Sequence, residues 1–403
     1  MLNAIPYGPF TSGRRDGRFL ANILSALTPD GEDVRESSIE SITLRYVDAS
    51  KFFTRHSFPK LRYLHLSTEV RVSSWEHLGL HTTALTTLSI TIKDKTSIPN
   101  TAQLLLILTS NPRLQHLTLS RYAIPCDGGG GSTTEVPLRH LKKLSVNGNF
   151  HRVFRLLQRL DYPARMDETK LAVSSCTVEN ILGTVAPCAG DCIQRDGRFS
   201  GGLGVFISSL PESISIHASA ISGTEGPTQK ATFMTFTAIH RKELPPRDED
   251  QLCTSFLKLL PVEHVIYFGG DLGTEAIRGT ISTMPNIQEL HLVNAQFNDR
   301  LLQPNPKGPH PEQKLLPSLR HLRLEDISFE DDNWQLFLPY LIHQTSGGQR
   351  ISVTISGLGQ HICKDVMKEI EGLVDELILN LSPDSDCPFD YCVISEEEWR
   401  GGW

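Results

Sequence analysis

Phe58-Pro59-Lys60-Leu61-Arg62-Tyr63-Leu64-His65-Leu66-Ser67 is the stretch that decides how this chain folds. An aromatic residue and a proline lead into Leu-x-x-Leu-x-Leu. The phrase returns as Asn111-Pro112-Arg113-Leu114-Gln115-His116-Leu117-Thr118-Leu119. It returns again as Met284-Pro285-Asn286-Ile287-Gln288-Glu289-Leu290-His291-Leu292 and as Leu316-Pro317-Ser318-Leu319-Arg320-His321-Leu322-Arg323-Leu324. One structural phrase repeated along a chain means stacked, neighbour-to-neighbour packing.

Taking the last apolar residue of each strand phrase gives Leu44, Leu66, Ile90, Leu119, Val146, Val173, Ile216, Phe236, Tyr267, Leu292, Leu324, Val353 and Leu379. The successive spacings are 22, 24, 29, 27, 27, 43, 20, 31, 25, 32, 29 and 26 residues. Most match a leucine-rich repeat. The expected fold is therefore α/β: a curved, horseshoe-shaped leucine-rich-repeat-like solenoid, irregular in the middle. Parallel strands line its concave face and helices its convex face. The 43-residue interval, with Cys188, Cys192 and Gly201-Gly202-Leu203-Gly204, reads as an enlarged repeat. Phe236 and Tyr267 carry no leucine phrase and rest on spacing alone.

Helices are expected in the intervals. Phe150, Val153, Phe154, Leu157 and Leu160 recur at helical spacing, with Arg152, Arg155 and Arg159 on the other side. Residues 102–109, 275–283, 333–343 and 364–373 are further candidates, and Ser73-Ser74-Trp75-Glu76 resembles a capping box. Gly/Pro-rich loops are expected at 127–132, 222–227 and 304–311. The domain plan is an N-terminal loop with a short capping helix over 1–38, the repeat array over 39–380, and an acidic C-terminal cap or tail over 381–403.

The composition sets limits on function. A net charge of -7 over 403 residues argues against a broad nucleic-acid surface. No stretch reads as a signal peptide or a membrane span, so the expected location is cytoplasmic or nuclear. The eight cysteines then read as reduced thiols. No phosphate-binding loop, nucleophile elbow or His-Glu-x-x-His is present. Cys188 and Cys192, even with Cys176, fall short of the four ligands of structural zinc. Neither metal nor cofactor is expected. A cysteine-dependent enzyme around residues 176–192 is the rival from another class.

Strand alternation supplies the candidate site. If Leu64 and Leu66 enter the core, Tyr63, His65 and Ser67 take the opposite, concave side. The same logic puts Arg45, His116, Thr118, Lys143, Ser145, Asn147, Glu289, His291, His321, Arg323 and Glu325 on one face. That mixture of aromatic, cationic and anionic groups suits a protein partner better than a phosphate backbone. The basic stripe at Arg152, Arg155, Arg159 and Arg165, and the acidic corner at Glu325, Asp326, Glu330, Asp331 and Asp332, read as solvated faces.

On the four phrases quoted above, residues 39 to 380 resemble the leucine-rich region of the F-box-type proteins of mushroom-forming fungi. Such proteins are similar to substrate receptors of cullin-type ubiquitin ligases. The resemblance implies a non-catalytic module that selects a protein on its repeat surface, with the ligase adaptor as a further partner. The chain departs from the family pattern before Ile39. No Leu-Pro-x-Glu-type opening followed by paired amphipathic helices stands there, and Leu244-Pro245-Pro246-Arg247-Asp248 resembles one only inside the array. A structural scaffold without ligase coupling is the alternative reading.

Overall fold

The computed structural model describes residues 40–45, 58–68, 75, 83–92, 98–125, 135–163, 166–175, 177, 179, 183, 202–210, 213–222, 229–239, 261–271, 281, 284–297, 316–329, 337–346, 348, 350–358 and 364–382. The chain forms two compact units: residues 1–176 with 235–239, and residues 177–234 with 240–403.

A four-residue turn precedes five of the strands, and the repeated phrase explains it at four of them. In Phe58-Pro59-Lys60-Leu61 the Leu61 N–H donates to the Phe58 carbonyl at 3.1 Å. The same bond closes Asn111–Leu114, Leu138–Leu141, Met284–Ile287 and Leu316–Leu319. Proline at the second position presets the turn backbone at four of the five. The first and last residues of every one are buried, so each turn is pinned at both ends. The two amides that follow then reach back to one carbonyl of the preceding repeat. Arg62 and Tyr63 share the Glu40 oxygen, Gln115 and His116 that of Thr86, and Arg320 and His321 that of Gln288.

The strands of the first unit are β1 (Ser41–Arg45), β2 (Tyr63–Thr68), β3 (Thr87–Ile92), β4 (His116–Arg121), β6 (Lys143–Asn149) and β8 (Glu168–Ser174), which pair in that order and all in parallel, the turns leading into β2, β4 and β6. Thr235–Ile239 of β11 (Gln229–Ile239) follows β8. Leu44, Leu66, Ile90, Leu119 and Val146 stand abreast, as the spacing requires. Val146 is opposite Leu171, so the sequence alignment on Val173 is one inward position too far. A two-strand ladder joins β5 (Val136–Pro137) to β7 (Leu160–Asp161).

Two helices are described in full in this unit. Helix α1 (Thr101–Thr109) starts at Asn100, whose side chain accepts from the Gln103 amide at 2.8 Å while Gln103 Oε1 accepts from the Asn100 amide at 3.0 Å. Helix α2 (Phe150–Leu157) buries Phe150, Val153, Phe154, Leu156 and Leu157 and leaves Arg155 exposed, as its periodicity predicts. It ends before Leu160, which the spacing had assigned to the helix but which lies in β7.

The second unit orders β10 (Ser213–Ser222), β9 (Leu203–Leu210), β12 (Val265–Asp271), β13 (Glu289–Val293), β15 (His321–Glu325), β17 (Ser352–Leu358) and β18 (Glu376–Ser382), with residues 229–234 of β11 beside β10. The short strands β14 (Gln296–Phe297) and β16 (Ser328–Phe329) pair separately. From β9 through β18 the pairing is parallel. Among the described pairings that depart from the expected parallel arrangement is the β9–β10 hairpin, which is antiparallel. A link as short as Glu212 and its neighbours can reverse a chain but cannot make a parallel crossover. Leu324 stands opposite Ile355, two residues beyond the expected Val353. Gly270, not Tyr267, stands opposite Leu292. Helices α3 (Phe337–Thr345) and α4 (Lys364–Leu373) pack on each other, and α4 matches its expected range.

The α/β class and the largely parallel sheets agree with the expectation. The N-terminal helix, most of 275–283, the loops at 127–132 and 304–311, and nearly all of the C-terminal tail lie outside the described residues.

Candidate functional site

Each strand puts alternate side chains into the core and the rest on an opposite, polar face. In the first unit the polar positions form rows across the strands. One row runs Ser41, Tyr63, Thr87, His116, Lys143, Glu168. The next runs Thr43, His65, Ser89, Thr118, Ser145, Lys170, and a third holds Thr91, Ser120 and Asn147. Tyr63 is 50% exposed. Thr87 Oγ1 and His116 Nδ1 lie 3.4 Å apart. At the end of the rows Glu168 takes Lys143 at 3.4 Å and Lys170 on its other oxygen. The hydrogen bond from Lys170, aided by Lys143, holds the Glu168 carboxyl below the usual range despite some desolvation. The Arg45 backbone pairs with Ser67 in this array, and both side chains lie outside the described residues.

The second unit carries the other predicted residues. Glu289, His321 and Ser352 share a row with Tyr267, as do His291, Arg323 and Thr354 with Gly269. Glu325 lies beside Val293 and Ser356. Here the side chains form a connected chain. Tyr267 Oη is 3.2 Å from His291 Nδ1, and His291 Nε2 is 2.9 Å from Glu325 Oε2. Arg323 Nη2 donates to the same oxygen at 3.1 Å. With neutral His291, the phenol donates to Nδ1 and Nε2–H donates to the carboxylate. Both ring nitrogens are thereby engaged, so the imidazole holds the cluster together and presents no open nitrogen for proton transfer.

Two glycines make the cluster possible. A Cβ on Gly269 would lie 2.7 Å from the Phe206 ring and 2.7 Å from the Tyr267 hydroxyl. One on Gly204 would lie 3.4 Å from the Tyr267 ring. The bare backbone thus lets Tyr267 lie along the sheet, only 8% exposed. Phe206 sits between His217 and His291, with ring centroids 6.3 and 6.0 Å away. Burial, reinforced by Glu289, pushes the Tyr267 phenol well above the usual tyrosine range. Burial alone pulls His217 below the usual histidine range, favouring its neutral form.

Backbone geometry terminates these strands in a uniform way. Arg121, Ser175, Asn294 and Asp326 all have φ between 50° and 61°, each at or just after a strand end. Asn and Asp tolerate that region best among side-chain-bearing residues. The Asp326 amide donates to the Ser356 carbonyl at 2.9 Å.

Every candidate whose side chain is described occupies the face opposite the core. The structure gathers Tyr63, His65, His116, Lys143 and Asn147 in the first unit and Glu289, His291, His321, Arg323 and Glu325 in the second. Sequence reasoning missed Phe206, Tyr267, His217 and Gly269. It assigned Tyr267 to the core, because counting from one leucine phrase to the next slips by three residues where β12 has none. The available signal was Gly269-Gly270 inside an apolar run, which marks close approach of a neighbour.

Cys176, Cys188 and Cys192 lie outside the described residues. Among the described residues no three His, Cys, Asp or Glu side chains gather as metal ligands, and no helix is long and apolar enough to cross a membrane. The sequence matches no protein-family model and no curated protein.

Proposed function

We propose that this chain is a leucine-rich-repeat solenoid whose polar strand face recognises a protein partner without catalysing a reaction. The observation that carries the reading is the in-register presentation of polar and aromatic side chains along successive parallel strands, with their apolar neighbours buried beneath. A partner meets side chains whose backbone is fixed by the sheet, so little ordering entropy is lost on binding. In the second unit the Tyr267–His291–Glu325–Arg323 chain fixes side chains as well. Interfaces of this kind draw most of their energy from a few large residues, and Tyr63 and Arg323 have that character. By resemblance, the repeat surface would serve a diverged F-box-type substrate receptor of a cullin-type ubiquitin ligase.

Affinity purification of the full chain, beside a triple variant with His65→Ala, Arg323→Ala and Glu325→Ala, tests both levels. Loss of specific co-purifying proteins from the variant, with its circular dichroism unchanged, is the expected result. A cullin adaptor among the proteins retained by both chains supports the ligase assignment. An identical set of partners on both chains, adaptor or not, would instead make the face a passive scaffold.

A further inference from the structure

We infer that the part of the second unit's polar face around Phe206 and Glu289 docks a basic segment of its partner, one bearing lysine or arginine. This rests on the reading of that face as a recognition surface and specifies the chemistry it selects. Three independent features point the same way.

The first is aromatic. Phe206 is half-buried between two imidazoles, and its ring leans over the bare backbone of Gly269. The glycine lets the ring lie against the backbone, and the ring keeps part of its surface exposed. A guanidinium or ammonium group over such a ring is attracted by its quadrupole. The neighbouring His217, kept neutral by its burial, adds no opposing positive charge near pH 7.

The second is the local balance of charge. Glu289, Glu325 and Glu376 lie on described positions of this face, against Arg323. Arg323 already donates to Glu325. At the Tyr267 hydroxyl the field of Glu289 outweighs that of Arg323, and Glu325 adds to it. An acidic segment approaching Arg323 would meet Glu325 on its flank.

The third is long-range. The chain carries 46 acidic against 39 basic residues, a net charge of -7. Such an imbalance speeds encounter with cationic partners and slows it with anionic ones.

Fluorescence anisotropy with the full chain and three labelled Gly-Ser peptides of equal length tests this: one carrying three Lys/Arg residues, one three Glu residues, and one neither. The basic peptide should bind tightest. Glu289→Gln and Phe206→Leu should each weaken it about threefold to tenfold. Glu371→Gln, which removes the same charge from an exposed position of α4, should change it by less than about twofold at 0.15 M salt. Equal losses from Glu289→Gln and Glu371→Gln would reduce the effect to bulk charge and overturn the inference, as would a basic peptide that binds no better than the neutral one. Tighter binding of the acidic peptide, abolished by Arg323→Gln, would overturn the polarity while leaving the recognition surface itself standing.

Discussion

The polar face of the first unit and that of the second are built on the same kind of parallel sheet, yet their side chains are organised differently. The first is a grid of hydroxyls and single rings, where Thr87, Ser89, Thr118 and Ser145 stand between Tyr63 and the Lys143–Glu168–Lys170 group. The second is a linked cluster in which tyrosine, histidine, glutamate and arginine hold one another. The difference traces to the strands beneath. Where the leucine phrase is regular, its mostly short polar side chains meet in small, local contacts. Where it fails, at β9 and β12, glycines open the sheet surface and aromatic rings lie down across it. The repeat thus specifies the core, and departures from the repeat specify the linked cluster.

Substitutions that break this contrast should have graded effects. The largest belongs to Gly357, whose φ of 138° is closed to other residues and whose added Cβ would stand 2.9 Å from the Asp326 amide nitrogen. Gly357→Ala should cost at least about 3 kcal/mol in urea unfolding. In the first unit, buried Asn111 accepts from the Leu85 amide at 3.1 Å and donates to the Ile107 carbonyl at 2.8 Å. Asn111→Ala should cost about 2–3 kcal/mol by orphaning both groups. Its counterpart in the second unit is an apolar residue, and Met284→Leu should cost less than about 1.5 kcal/mol.

Gly269→Ala should cost about 1–3 kcal/mol by displacing Phe206 and Tyr267, and near-ultraviolet circular dichroism should change with it. The two glutamates sharpen the comparison further. Glu325→Gln removes a charged acceptor from Arg323 and from the largely buried His291 and should cost about 1–2 kcal/mol, whereas Glu168→Gln, whose partners are the two exposed lysines Lys143 and Lys170, should cost less than about 1 kcal/mol.

The smallest effect is a pH dependence. The folded state depresses the His217 pKa, so below the ordinary value of 6.5 the unfolded chain binds the proton more readily. This group therefore withdraws stability as pH falls from about 6.5, and has no such effect above it. Thermal melts from pH 7.5 to 5.5 should show a shallower acid loss in His217→Gln than in the parent. An unchanged slope would remove His217 from the account.

Much of this architecture was legible in the sequence. Phe58-Pro59-Lys60-Leu61 and its echoes mark turns because proline favours that backbone and the closing residue is apolar. Alternation after each turn then fixes which side chains share a face, which is why Tyr63, His116 and Arg323 were placed without a structure. The middle of the chain resisted for a physical reason. Val205, Ile207, Ile214 and Ile216 alternate as any half-buried strand does, and alternation carries no information about parallel or antiparallel pairing. Tyr267 was misplaced because its packing depends on missing side chains at Gly204 and Gly269, which reside on β9 and on its own strand. Period counting weighs what each residue is and is blind to what its neighbours lack.

The central claim is that the strand face, not the helices, meets the partner. A photo-crosslinking amino acid placed in turn at His65, His321, Arg155 and Glu371 of the full chain, in its native cells, tests it most directly. All four are surface positions, the first two on strands and the last two on helices. The account predicts protein adducts from His65 or His321 and none above background from Arg155 or Glu371. Adducts confined to the helix positions would contradict it.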